Sequence, residues 1–295
     1  MLAAIPYIHL TVYNVPIPGL GNLPIDPWFT LVCIGFVVGL EVARHRGVKL
    51  GLDVRDVVDG AVFIVLMGFF IGHVFTVVFY HPERLSEDGI WSILRVWEGF
   101  SSMGGFVGAI LGAILFYKYI RPRDGWRHAD VITFGFPFGW LFGRLGCAVV
   151  HDHVGSLTTF PLGMHFPEES LRMATGGYAP AGVRHELGLY EALYTILICV
   201  VFYLLGRKDR PPRFFLALFA MMYAPIRFGL DFLRNTDLYY QDSRYLGLTP
   251  GHYSALVLFV AGLVLWWTID FRNFRPWPMD GQADQARRAA GELDG

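Results

Sequence analysis

The chain has 295 residues, 54% hydrophobic and 16% aromatic, with only 17% charged, where soluble domains usually carry roughly 25%. That balance excludes a disordered chain and argues against an ordinary soluble globule. With 24 Lys and Arg against 25 Asp and Glu, no basic excess exists to attract nucleic acid, and no such partner is expected.

The N-terminal segment is rich in Pro and Gly (Pro16, Pro18, Gly19, Gly21, Pro24) and lacks a basic start and a small-residue cleavage site, so no cleaved signal peptide is expected. Apolar runs follow at about 27–43, 57–80, 103–120, 129–150, 187–206, 213–231 and 252–270. A bilayer crossing takes about 20 apolar residues. The expected fold class is therefore an all-α integral membrane protein with seven transmembrane helices, a single membrane domain over residues 1–275, and a flexible cytoplasmic tail at 276–295. Basic residues concentrate in short loops on the cytoplasmic side. Arg44, Arg46, Lys49 and Arg55 follow the first run, Lys118, Arg121, Arg123 and Arg127 the third, and Arg207, Lys208, Arg210 and Arg213 the fifth. The connections at 81–102 and 151–186 are poor in them. This alternation places the N-terminus outside and the C-terminus in the cytoplasm.

Ionisable side chains inside a span cost at least a few kcal/mol and mark function by default. Here they gather toward the outer side: His73, Arg144, Tyr190 and Glu191, then Arg227 and Asp231, with Ser101, Ser102, His151, Asp152, His153, Arg184, His185, Glu186 and Arg234 just beyond. Arg227, Asp231 and Arg234 share one helix face by their spacing. They read either as a self-neutralising pair or as part of a site. Arg144 stands between Gly143 and Gly146, which allow close approach of a ligand or another backbone. Two guanidiniums on different helices at one depth suggest a site for a phospholipid phosphate, since guanidinium binds phosphate through two parallel hydrogen bonds. Gly104-Gly105, Gly108 and Gly112 have the spacing of close helix packing; admission of a lipid is the alternative. The histidines at 151, 153, 165 and 185 match no strong zinc spacing, so neither metal nor cofactor is expected. Cys33, Cys147 and Cys199 lie in apolar stretches without a CxxC pair and suggest neither disulfide nor redox role.

These residues resemble the bacterial prolipoprotein diacylglyceryl transferases. The resemblance rests on Val96-Trp97-Glu98-Gly99 leading into Gly104-Gly105, on Gly143-Arg144-Leu145-Gly146-Cys147 with Gly155 downstream, on Arg184-His185 before Leu189-Tyr190-Glu191, and on Tyr223, Arg227-Phe228, Asp231-Phe232 and Arg234, over roughly residues 27 to 270. It implies a multi-pass enzyme of the bacterial inner (plasma) membrane. The implied reaction moves the diacylglyceryl group of phosphatidylglycerol to the lipobox cysteine of prolipoproteins, so membrane lipid and precursor protein are the implied partners. It also implies essential roles for Arg144 and Arg227, and substrate contacts by Gly104, Gly105, Asp152, Gly155, Arg184, Tyr190, Glu191, Asp231 and Arg234. Asp231 and Asp152 stand where the family usually has Glu. Met103 replaces a histidine considered a catalytic base, and Cys147, Phe29, Ile71 and Glu186-Leu187-Gly188 are further departures. A thiol of pKa about 8.5 needs only modest help to ionise, so His151, His153 or His185 is expected to take its proton. The rival reading is a binding protein that keeps the arginines and has lost the base; a hydrolase using periplasmic histidines and a metal is a third.

Overall fold

The computed structural model describes residues 5–8, 10–19, 21–96, 99, 101–167, 181–238 and 244–276; the expected tail, apart from Pro276, lies outside them, as do Trp97 and Glu98. Strands β1 (Ile5–Pro6), β2 (Tyr13–Ile17) and β3 (Gly21–Ile25) precede helices α1 (Pro27–Lys49), α2 (Val54–Phe75), α3 (Ser102–Leu115) and α4 (Gly125–Val150). Strands β4 (Val154–Leu157), β5 (Met164–Phe166) and β6 (Gly182–Glu186) lead to α5 (Leu187–Leu205), α6 (Phe214–Asp231) and α7 (Pro250–Trp267). Wider turns prolong α2 through Thr76–Tyr80 and α3 through Phe116–Ile120. Among the described residues six helices are long and apolar enough to cross a membrane, and the Gly104–Ile120 helix is apolar but shorter.

The helices begin and end where capping chemistry dictates rather than where the apolar run stops. α1 continues past residue 43 through Arg44, Arg46 and Lys49, because cations complement the negative end of a helix. Arg46 is nonetheless buried, its guanidinium lying 4.2 Å from the centre of the Phe134 ring and 4.6 Å from that of Phe215. α4 starts four residues ahead of the expected 129, where the Asp124 carboxylate accepts from the Arg127 backbone N–H at 3.2 Å.

The all-α expectation needs a correction, for Ile5–Pro6, Val154–Leu157, Met164–Phe166 and Gly182–Glu186 build a four-stranded sheet in the order β1-β5-β6-β4. β1 runs parallel to β5, and the other pairs are antiparallel. A separate hairpin pairs β2 with β3. In the larger sheet β4, β5 and β6 have 4, 3 and 5 residues, too few for an alternating pattern to stand out from a loop.

Two compact units divide the chain. One holds residues 1–41, 135–206 and 216–268, with both sheets; the other holds 42–134, 207–215 and 269–295. In the first, a Cβ on Gly35 would sit 2.5 Å from the Gly139 carbonyl oxygen, so α1 and α4 touch backbone to backbone. In the second, Cβ atoms on Gly104 and Gly108 would strike Phe75 and the Met67 carbonyl, so the small-residue face of α3 lies directly on α2. Leu66, Val257, Val37 and Leu197 are among many large apolar side chains left exposed, the surface a lipid-facing helix presents.

Replacing Gly108 with Leu is expected to cost about 1–3 kcal/mol through overpacking and to lower the Tm of the detergent-purified protein. Gly229→Ala, where nothing lies within 4 Å of the new methyl group, should leave it within error of wild type.

Candidate active site

On α6, Tyr223, Arg227 and Asp231 recur every four residues and share a face. Asp231 is 1% exposed yet well satisfied. It accepts from Arg227 Nη1 at 2.5 Å and Arg234 Nε at 3.0 Å, and from the Thr249 hydroxyl. Thr249 caps α7 through a box in which its backbone N–H donates to His252 Nδ1 at 3.1 Å. Gly251 is obligatory in this first turn, because a Cβ there would collide with the Asp231 carboxylate.

Arg144 approaches from α4. Its Nε lies 3.1 Å from Glu191 Oε1 of α5, an ion-pair contact poorly angled for a hydrogen bond. Its guanidinium also stacks 4.3 Å over the Trp140 ring, and Nη1 is 3.9 Å from Cys147 Sγ. The Tyr223 hydroxyl donates to the same Glu191 oxygen. Arg144 of α4, Glu191 of α5 and Tyr223 of α6 therefore meet, with Arg227 one turn further along α6. Arg144 is thus paired with Glu191, while Arg227 and Arg234 share Asp231. Guanidinium groups fixed in this way present donors that suit an oxyanion.

The strands and their connections hold the remaining candidates. Arg184, in the middle of β6, is fully buried; it donates to the Gly155 carbonyl at 3.2 Å and to both oxygens of Asp237. Gly155 lets its strand pair closely with the backbone at Leu233 and Arg234, since a Cβ would meet the Leu233 carbonyl at 2.6 Å and His185 Cβ at 2.8 Å. His151 spends both ring nitrogens, Nε2 donating to the Ile8 carbonyl at 2.9 Å and Nδ1 lying 3.1 Å from Glu186 Oε2. Tyr7 stacks on its ring. Burial pushes the Glu186 carboxyl above its ordinary range, with His151 opposing.

His185 Nδ1 lies 3.0 Å from the Tyr190 hydroxyl, which itself donates to the Leu162 carbonyl at 3.2 Å. Nδ1 is therefore the donor, and Nε2 keeps its lone pair. Burial lowers the pKa of this imidazole. His153 is partly exposed and its Nδ1 is bonded to the Asp152 carboxylate, again leaving Nε2 as the basic nitrogen.

The model of the prolipoprotein diacylglyceryl transferase family matches residues 17–268. The chain belongs to that family. Among relatives, the phosphatidylglycerol–prolipoprotein diacylglyceryl transferase of Teredinibacter turnerae is 29% identical over 252 residues, covering 83% of each chain. The enzyme of that name from Chromohalobacter salexigens is 30% identical over 242 residues, 81% of this chain and 86% of its own. That of an Acinetobacter baumannii strain is 27% identical over 264 residues, 88% and 93% respectively.

Within this family member, Gly104 and Gly105 belong to the other unit, on the α3 face against α2; a Cβ on Gly105 would meet only the Gly68 carbonyl oxygen, at 3.8 Å. His73 in that unit is fully buried, its Nδ1 lying 2.8 Å from the Gly99 carbonyl and its Nε2 2.9 Å from that of Ser92, which holds Ser92 and Gly99 to α2. Three partners escaped sequence reasoning: Thr249, His252 and Asp237. The Thr-Pro-Gly-His opening of α7 carried a capping signal that could have exposed the first two. Asp237, 53 residues from the Arg184 it holds, left no local trace.

The Arg184 hydrogen bonds hold the Asp237 carboxyl below its usual range. Its stabilising contribution is complete above about pH 4 and lost as pH falls through its folded-state value. Asp237→Asn is expected to cost about 1–2 kcal/mol near neutral pH. It should also flatten the acid limb of a Tm-against-pH curve, relative to wild type.

Proposed function

We propose that this chain transfers the diacylglyceryl group of phosphatidylglycerol to the lipobox cysteine thiol of prolipoproteins, the first step of lipoprotein maturation. Family membership supports the reaction, and the observation that carries its location is the meeting of Arg144 and the Tyr223 hydroxyl at one Glu191 oxygen, with Arg227 held by Asp231 one turn further along α6. In this reading the two guanidiniums bind the donor phosphate. The precursor thiolate attacks the glyceryl carbon, a carbon–sulfur bond forms, and the carbon–oxygen bond to phosphate breaks. Glycerol phosphate leaves with the electron pair, its developing charge met by preorganised donors. Glu191, Tyr223, Asp231 and Arg234 position the arginines, while Tyr190 and Gly155 contribute to the substrate-binding surface. Arg184 acts through Asp237 and the Gly155 carbonyl as a positioning residue.

Of the three histidines, His153 suits the proton transfer best. His151 is committed at both nitrogens, whereas the Asp152 carboxylate orients His153 and supports the imidazolium formed when Nε2 accepts the thiol proton. His185 is the second choice, since its burial disfavours the charged form. The seven apolar segments act as seven crossings of the bacterial inner membrane, N-terminus outside, with this chemistry at the outer leaflet.

The decisive measurement is transfer of labelled diacylglyceryl from phosphatidylglycerol vesicles to a lipobox peptide, with a Cys-to-Ser peptide as control. Label should appear on the Cys peptide alone. Arg144→Ala and Arg227→Ala are each expected to lower the rate by about 10²–10³ while inserting normally, and His153→Ala by roughly 10²–10⁴. Phospholipid binding without transfer would instead establish the binding-protein reading, and undiminished transfer by His153→Ala would move the base to His185.

A further inference from the structure

Where α4 ends, the chain turns back sharply through His151, whose backbone is left-handed at φ 56°. The turn carries Asp152 and His153 back over the last turn of α4, beside the Cys147 thiol. One ligand atom from each of Cys147, Asp152 and His153 lies within 4.8 Å of the other two. Zinc bonds of 2.0–2.3 Å to sulfur, nitrogen and oxygen place tetrahedral ligands about 3.3–3.8 Å apart, so a small contraction of this trio encloses a cation. The ligands differ in access: Cys147 is 7% exposed, but the Asp152 and His153 side chains are 41% and 24% exposed. A cation therefore enters from the Asp152 and His153 side, and the fourth position is open to water.

We propose that Cys147, Asp152 and His153 form a binding site for a soft divalent cation of the zinc class, and that its occupation inhibits the enzyme. The thiolate selects zinc over magnesium or calcium, which take oxygen ligands. Thiolate and carboxylate together carry two negative charges and neutralise the dication, despite the Arg144 guanidinium 3.9 Å from the sulfur. That guanidinium has Glu191 as its own counter-charge. On binding, the thiol surrenders its proton to solvent, so affinity rises with pH. Occupation takes the His153 and Asp152 pair away from proton transfer and sets a cation and its water beside Arg144. The inhibition rests on the reading of this site as the transferase centre; the binding does not.

Cobalt(II) is the probe, because a thiolate ligand gives it a near-ultraviolet charge-transfer band and tetrahedral coordination gives it visible d–d bands. Titration of the metal-stripped, detergent-purified full chain should give one saturable equivalent with both signatures. Zinc should displace it, and the affinity should be higher at pH 8 than at pH 6. Cys147→Ser should remove the charge-transfer band and weaken binding by at least about tenfold. Asp152→Asn, which leaves every cysteine in place, should weaken it as well. In the transfer assay, zinc should inhibit wild type, and Cys147→Ser should shift the inhibiting concentration upward by at least about tenfold. A wild-type chain without the charge-transfer band, or a band that survives Cys147→Ser, overturns the site. Zinc bound at Cys147 with the transfer rate unchanged overturns the inhibition. Should the chain show no transfer even when metal-free, the proposed reaction fails while the cobalt titration still decides the site.

Discussion

A carboxylate buried to 1% at the end of a membrane-embedded helix is tolerable only if its surroundings supply every hydrogen bond that water would have given. Asp231 meets that condition through Arg227, Arg234 and Thr249, which come from the end of α6 and the start of α7. Each of these groups in turn depends on the carboxylate: two guanidiniums would repel one another without it, and the α7 cap would lose its orientation. Partial satisfaction of such a network is more costly than none, so the end of α6 and the start of α7 are specified together.

The Arg144, Glu191 and Tyr223 cluster obeys the same logic with a different balance. Glu191 is shared by a guanidinium and a phenol, and Trp140 covers the cationic face with an aromatic ring that attracts charge without cancelling it. Taken with Asp231, the arrangement fixes three arginines through two buried carboxylates. Donors oriented in advance lose little side-chain entropy when they engage an anion.

Much of this was legible in the sequence because the bilayer imposes simple rules. Twenty-residue apolar runs mark helices, and a charge inside one is conspicuous enough that Arg144, Glu191, Arg227 and Asp231 could be singled out before any coordinates. Helix ends were less legible: α1 reaches Lys49 because Arg46 lies against Phe134 and Phe215, a contact made by residues far apart in the chain. The sheet was illegible for a similar reason, its strands being shorter than a pattern needs. Among the histidines, sequence offered three equivalent rings. Only hydrogen-bond partners separate His151, held by Glu186 and the Ile8 carbonyl, from His153, whose Nδ1 is bonded to Asp152.

The pairing of Ile5 with Met164 in the four-stranded sheet has a consequence for biosynthesis. The strand that leaves the ribosome first adjoins one that is made about 160 residues later, and at 5–20 residues per second that interval is about 8–32 s. Throughout it, Ile5 and Pro6 have no partner strand, and the Ile8 carbonyl awaits His151. Pairing of β1 with β5 therefore waits until α1 to α4, which lie between them, have been synthesised.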